Sequence, residues 1–135
     1  MALFTWSDDY SVKIASIDEQ HKKLIAMLNS LHDGMSAGHG SDKLGPLLNG
    51  LVEYTAQHFS FEEKLFADHG YPQAAQHTAE HKRLVDQVLE FKARYESGHA
   101  QINVQLMKFL KNWLIQHILG SDKAYVAHLT ERGVK

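Results

Sequence analysis

The chain has 135 residues, 44% apolar and 22% charged, which suits one soluble domain with a single core. Its formal charge of −2 argues against a nucleic-acid footprint, no stretch approaches the ~18 consecutive apolar residues of a membrane span, and the N-terminus lacks the pattern of a secretory signal. A cytoplasmic protein is expected; the absence of cysteine removes disulfides, thiolate metal sites and a cysteine nucleophile, while ten histidines are a heavy dose for this length.

Residues 1–15 hold Trp6, the acidic pair Asp8 and Asp9, and Tyr10, without a sustained helical period. They read as an arm that packs its aromatics on the outside of the domain. Ser16, Ile17, Asp18 and Glu19 have the form of a capping box, with Ser at the N-cap and Glu three residues on. A first helix is therefore expected from Ser16 to about Ala37, broken by Gly38 to Ser41. A second begins between Ser41 and Pro46 and reaches about Asp68, where Gly70 suits the left-handed position after a helix end.

Pro72 fits the first turn of a third helix, which runs to about Ser97 before Gly98. The fourth covers about Gln101 to Leu119 and stops at Gly120, after which Ser121 and Asp122 are placed to cap a short last helix to about Glu131. No segment alternates as a strand would. The expected fold is all-α: an up-down-up-down antiparallel four-helix bundle, with short loops joining antiparallel neighbours. It forms a single domain over 1–135, with the arm at 1–15, the bundle at 16–119 and the last helix at 121–131.

The histidines fall where this pattern calls for core. His21, Leu24, Leu28, Leu31 and Met35 follow a 3-4-3-4 spacing; Leu51, Thr55, His58, Glu62 and Leu65 follow 4-3-4-3. His77, His81, Leu84, Val88, Phe91 and Tyr95 form the seam of the third helix, and Met107, Leu110, Leu114 and His117 that of the fourth. Burying a polar group without a partner costs on the order of 1–3 kcal/mol, and an ionised Glu62 more. Seams otherwise made of Leu, Val, Met and Phe cannot supply those partners, whereas a metal can.

Position along the axis agrees. His21, His77 and His81 lie near the starts of odd helices, His58, Glu62 and His117 toward the ends of even ones, so an antiparallel bundle gathers them at one end. His58/Glu62 and His77/His81 are one turn apart on one face. His117 and Asp122 are not, since five residues turn a straight α-helix by about 140° away; Gly120 is expected to end the helix and let the turn swing Asp122 back. Five neutral nitrogens and two carboxylates are too many for one ion, so two ions bridged by Glu62 and Asp122 are expected, of a kind that takes imidazole and carboxylate: iron, zinc or manganese. His39, His69 and His99 read as solvated loop residues, His32 lies too far along its helix to share the site, and His128 reads as surface or packing.

Assembled in this order, the chain resembles the hemerythrin family and its single-domain bacteriohemerythrins. The matching stretches are Ile17 to His21, His58 to Lys64, His69 to Pro72, His77 with His81, and Trp113 to Asp122, spanning nearly the whole chain. One departure is Lys13, where family members usually carry glycine. The resemblance implies a non-haem di-iron centre, two Fe ions per chain cycling between Fe2+ and Fe3+ under a hydroxo or oxo bridge, with no haem. His77, His81 and His117 would hold one iron and His21 and His58 the other, bridged by Glu62 and Asp122. The second iron would keep an open position where dioxygen is held as hydroperoxide.

The implied function is reversible dioxygen binding, for transport, storage or delivery to an oxygen-consuming enzyme, in a monomer without nucleic-acid or membrane partners. Leu24, Phe59, Trp113, Leu114 and Ile118 are the apolar candidates for the wall around bound oxygen, with Leu114 facing it. Two further function classes stand beside this one. A di-iron peroxidase or peroxide/NO reductase would need a proton donor on the seam, and no additional seam Glu, Asp or Tyr is positioned as an obvious general acid. An oxygen or iron sensor would need a signalling domain, an iron store a cage, and a zinc hydrolase the H-E-x-x-H pattern. Five imidazoles rather than an anionic ligand set favour binding over oxygen activation, so no enzymatic role is expected.

Overall fold

The computed structural model describes residues 3–38 and 40–135; His39 lies outside the described residues. Among the described residues five α-helices run in order: α1 Ala15–Ser36, α2 Ser41–His69, α3 Ala74–Glu96, α4 Val104–Gln116 and α5 Val126–Glu131. A 3-10 turn at Asp8–Tyr10 precedes them, and a π-helical segment, His117–Asp122, joins α4 to α5. The first four helices form the four-helix bundle, with α2 packed between α1 and α3, and α1 also packed on α4. No strand occurs among the described residues.

The seams face inward as their spacing requires. Leu24, Leu28, Leu31, Leu51, Leu84, Met107 and Leu114 are all buried, while Met35, Thr55, Leu65, Val88, Phe91, Tyr95 and Leu110 are half-buried. Two apolar clusters result. The larger fills the bundle body around Leu24, Leu28, Leu48, Met107 and Ile118. The smaller caps one end, built from Val12 and Ile14 of the arm, Ile17, Phe66, Tyr71, Tyr125 and Leu129. The polar seam residues sit between the two, which keeps water from both sides.

Several element ends differ from expectation. The capping box does not form: α1 starts at Ala15 after Ile14, whose side chain makes no cap bond. Ile14 is fully buried, and that anchor, rather than Ser16, fixes where the helix begins. Asp18 reaches back instead, accepting from the Val12 N–H at 2.8 Å and the Ser11 hydroxyl at 2.6 Å. This ties down the arm, whose aromatics are less peripheral than expected: Phe4 is buried in the main core, and its backbone pairs with the Asn29 amide through two bonds.

His69 is the last residue of α2 rather than a loop residue, and Gly70 follows in the left-handed conformation at φ 62°. Pro72 lies in the turn before α3, not in its first turn. At α4 the chain stays extended until Asn103, whose side chain caps the helix by accepting from the Leu106 N–H at 2.9 Å. The helix does not stop at Gly120. It passes into the π segment, where hydrogen bonds run to the fifth residue rather than the fourth. Nothing lies within 4 Å of where a Gly120 side chain would begin, so space does not require glycine there. The short helix α5 starts at Val126, so Ser121 and Asp122 do not cap it.

Candidate metal centre

The six polar seam residues and Asp122 come from all parts of the bundle and meet. His21 comes from α1, His58 and Glu62 from α2, His77 and His81 from α3, and His117 and Asp122 from the π segment. All seven are buried, with Glu62 and Asp122 at 0% exposure. The π turn solves the spacing problem posed by the sequence, since its wider coil brings residue i+5 over residue i and so sets Asp122 beside His117. His117 Nε2 and Asp122 Oδ1 are 3.1 Å apart.

Two overlapping ligand groups result. Glu62, His77, His81, His117 and Asp122 each offer one donor atom within 4.8 Å of the others, and so do His21, His58, Glu62 and Asp122. The two carboxylates belong to both. Asp122 Oδ1 lies 3.0 Å from His77 Nε2, while Oδ2 lies 3.0 Å from His21 Nε2. Glu62 Oε1 is 3.2 Å from His58 Nε2 and 3.3 Å from His81 Nε2.

These close approaches are poor hydrogen bonds. Glu62 Oε1, both Asp122 oxygens and both His21 nitrogens are buried without a satisfactory hydrogen-bond partner. His117 Nε2 sits 3.1 Å from both His77 Nε2 and His81 Nε2. In a neutral ring whose Nδ1–H is given to an outside acceptor, Nε2 carries a lone pair. Two such lone pairs facing each other repel, and a cation between them removes the conflict. The residues therefore fit a group of positive ions held by nitrogen and carboxylate donors.

The outside acceptors follow a rule around the bundle. Gln20, beside His21 on α1, takes the Nδ1–H of His58 on α2 at 2.6 Å. Glu63, beside Glu62 on α2, takes that of His81 on α3 at 2.9 Å. Glu80, beside His81 on α3, takes that of His117 at 3.1 Å and also accepts from the Ser121 hydroxyl at 2.5 Å. Each helix thus backs a ring on the next. The cycle fails at its closing step, where buried, apolar Ile118 follows His117 and His21 Nδ1 finds no partner.

Charge in the centre is strongly perturbed. Burial, together with the charge of Asp122, would raise the Glu62 carboxyl, but His58 and His81 outweigh both and hold it at about 2. Burial likewise works against ionised Asp122, and contacts with His117, His21 and His77 bring it well below the usual carboxylate range. Burial would lower His117, yet Asp122, Glu62 and Glu80 raise it above its ordinary value. Both carboxylates stay anionic in a dry site, ready to balance metal charge.

Sequence reasoning missed Tyr125. It is fully buried and its hydroxyl donates to Glu62 Oε2 at 2.5 Å, so a tyrosine does stand at the site, contrary to the expectation of none. Burial first, and then the charges of Asp122 and Glu62, push its hydroxyl well above 10. Glu63, Glu80 and Gln20 were also missed; the signal available was their position one step around the helix from a seam residue.

Beside the centre an apolar cavity of about 60 Å³ runs into the bundle body. Leu24, Phe59, Trp113 and Leu114, the candidates for the wall around bound oxygen, line it together with Val88 and Leu110. Phe59 stacks on His81 at 3.8 Å and Trp113 on His117 at 4.4 Å, so the cavity wall and the histidines share surfaces. Thr55 turns its hydroxyl onto the Leu51 carbonyl at 2.7 Å, which keeps its part of the wall apolar. Ile118 is buried nearby but does not line the cavity. Of the remaining histidines, His99 is exposed, His32 is half-buried on α1, and His128 packs on Tyr71 and donates to the His69 carbonyl at 2.8 Å.

Residues 12–129 match the family described as Hemerythrin HHE cation binding domain. The chain is 38% identical over 135 residues to a Bacteriohemerythrin of Stenotrophomonas maltophilia, covering 97% of this chain and 87% of that protein. It is 35% identical over 126 residues to a Bacteriohemerythrin of Methylococcus capsulatus, covering 93% and 95%. A solved wild-type hemerythrin structure superposes with a TM-score of 0.91 at 33% identity, covering 96% of this chain and 99% of that one.

Proposed function

The chain belongs to the hemerythrin family, and from that membership we propose that it binds dioxygen reversibly at a non-haem di-iron centre, as a cytoplasmic, monomeric carrier or store rather than an enzyme. One observation supports this above the others: two donor groups share Glu62 and Asp122 and abut an apolar-lined cavity. His77, His81 and His117 would hold one ion, His21 and His58 the other, with both carboxylates bridging. Two iron ions would supply the two electrons that dioxygen takes up on binding.

The chain's own residues do the rest. The smaller group offers two histidines to the larger group's three, which leaves the His21–His58 side with room for an exogenous ligand. Leu24 and Leu114 exclude water from the cavity, and Phe59 and Trp113 clamp the rings of His81 and His117. Reversible binding requires that no proton reach the bound gas from outside. Tyr125 sets its hydroxyl on Glu62, but its proton is committed to that carboxylate and its acidity is suppressed, so it is a poor donor. This favours binding over a peroxidase or reductase role.

The test is anaerobic reduction of the purified iron-loaded protein, followed by visible absorption before oxygen, after oxygen, and after purging. A ligand-to-iron charge-transfer band that appears and then vanishes is expected. Irreversible decay to the oxidised spectrum would favour the enzyme reading, and no band at all would remove the di-iron assignment.

A further inference from the structure

The two donor groups differ in backing as well as in number. In the three-histidine group, two rings hand their Nδ1–H to carboxylates: His81 to Glu63 at 2.9 Å and His117 to Glu80 at 3.1 Å. In the two-histidine group, His58 hands its proton to the neutral amide of Gln20, and His21 Nδ1 has no partner. A carboxylate behind an imidazole draws the Nδ1 proton outward, makes Nε2 a stronger donor, and adds negative charge beside the cation. A neutral amide orients the ring but adds no charge.

We propose that the chain loads divalent metal in two unequal steps, with Glu63 and Glu80 as positioning residues that make the His77–His81–His117 half the high-affinity half. This rests on the assignment of the cluster as a metal centre. The shared carboxylates widen the gap. The first ion takes most of the charge of Glu62 and Asp122, and the second must then enter against an ion of like charge in a buried site. A chain holding one metal, with the His21–His58 half unfilled, is therefore a discrete species when metal is scarce. Assembly of the centre is ordered, and the half that takes the exogenous ligand is the last to form and the first to lose its ion.

The test titrates the metal-free full chain with Co2+, following heat and the visible d–d bands of the bound ion. Two resolved steps are expected. Glu63→Gln and Glu80→Gln, which keep the hydrogen-bond acceptor and remove the charge, should each weaken the first step by about ten-fold or more. Gln20→Ala should weaken the second step alone. Glu63 and Glu80 are 34% and 42% exposed in their side chains, so neither substitution threatens the core, and a purely structural role would not move one step without the other. A single two-ion step in the unsubstituted chain would overturn the proposal, as would glutamine variants that shift both steps equally. Failure of the chain to bind any cobalt would overturn the metal-centre assignment itself.

Discussion

The Tyr125 hydroxyl donates to Glu62 Oε2 at 2.5 Å, across 63 residues of sequence. The bond joins the segment after the π turn to α2, and it occupies the Glu62 oxygen that faces away from the histidines. It also stitches the small end cluster, to which Tyr125 belongs, onto the floor of the site. One side chain thus closes the lower core and fixes the orientation of a carboxylate common to both donor groups.

Tyr125→Phe removes that hydroxyl and leaves a buried carboxylate oxygen without a donor. Hydrogen bonds to charged groups contribute roughly 1.5–3 kcal/mol. The metal-free variant should lose stability of that order in urea unfolding while keeping its helical circular dichroism. A change within about 0.5 kcal/mol, the range of ordinary surface substitutions, would show that the bond carries little weight.

The parts of the site legible in the sequence are those written in helical period. His21, His58, Glu62, His77, His81 and His117 interrupt seams of Leu and Met at core positions, and a repeat of 3 and 4 is a property of local sequence alone. Tyr125 follows a break in that period, so no seam pointed to it. Asp122 was placed by chemistry and family resemblance, while the device that delivers it, a π segment, leaves no mark in composition. Gln20, Glu63 and Glu80 lie one residue from a seam position, about 100° around the helix, and resemble any solvated face until the next helix is in place. Their partners are set by tertiary packing, which a single-helix reading does not contain. The start of α1 misled for the same reason: a local capping signal at Ser16 lost to burial of Ile14.

His77→Ala takes one nitrogen from the three-histidine group and leaves Asp122 Oδ1 without a neighbour it meets at 3.0 Å. Iron analysis after reconstitution should find the two-iron centre lost, with the fold destabilised because buried carboxylate charge is left uncompensated. Retention of two irons per chain would refute the ligand assignment.

Leu114→Ala opens the cavity wall one turn before His117. On the proposed oxygen-binding reading, oxidation of the oxygen adduct to the ferric state should speed up, because the shorter side chain admits water past the wall. Stability should fall by about 2–4 kcal/mol from the cavity created. Ile118→Val, at a buried position off the cavity lining, is the control and should leave the oxidation rate unchanged. An unaltered rate in Leu114→Ala would take Leu114 out of the oxygen pocket.

The metal-free chain should be most stable on the acid side of neutrality. Burial would raise Glu62, but His58 and His81 hold it at about 2 against an ordinary 4.5. Its contribution is therefore complete above pH 4.5 and is lost as the pH falls toward 2, and the depressed Asp122 behaves alike. His117 works in the opposite sense. Burial lowers it, the surrounding carboxylates raise it above 6.5, and its contribution is present below 6.5 and lost as the pH rises through the folded value. Thermal unfolding of the metal-free chain should peak between pH 4.5 and 6.5. A maximum on the alkaline side would contradict the direction assigned to His117.

Lys13 is the one described non-glycine residue in the left-handed region, at φ 59° in the arm. It is exposed, and its N–H is held by the Ser11 hydroxyl at 3.1 Å in the same turn that Asp18 ties to α1. A left-handed conformation costs a residue with a Cβ roughly 1–2 kcal/mol. Glycine removes that strain but gives back about 0.4–1 kcal/mol through its freer unfolded chain. Lys13→Gly should therefore stabilise the protein by about 0.5–1 kcal/mol, seen as a higher urea midpoint with an unchanged slope, and Lys13→Ala should bring no such gain. If the glycine variant unfolds at or below the midpoint of the unsubstituted chain, the turn holds lysine without strain, and its conformation is set by contacts that a bare glycine cannot replace.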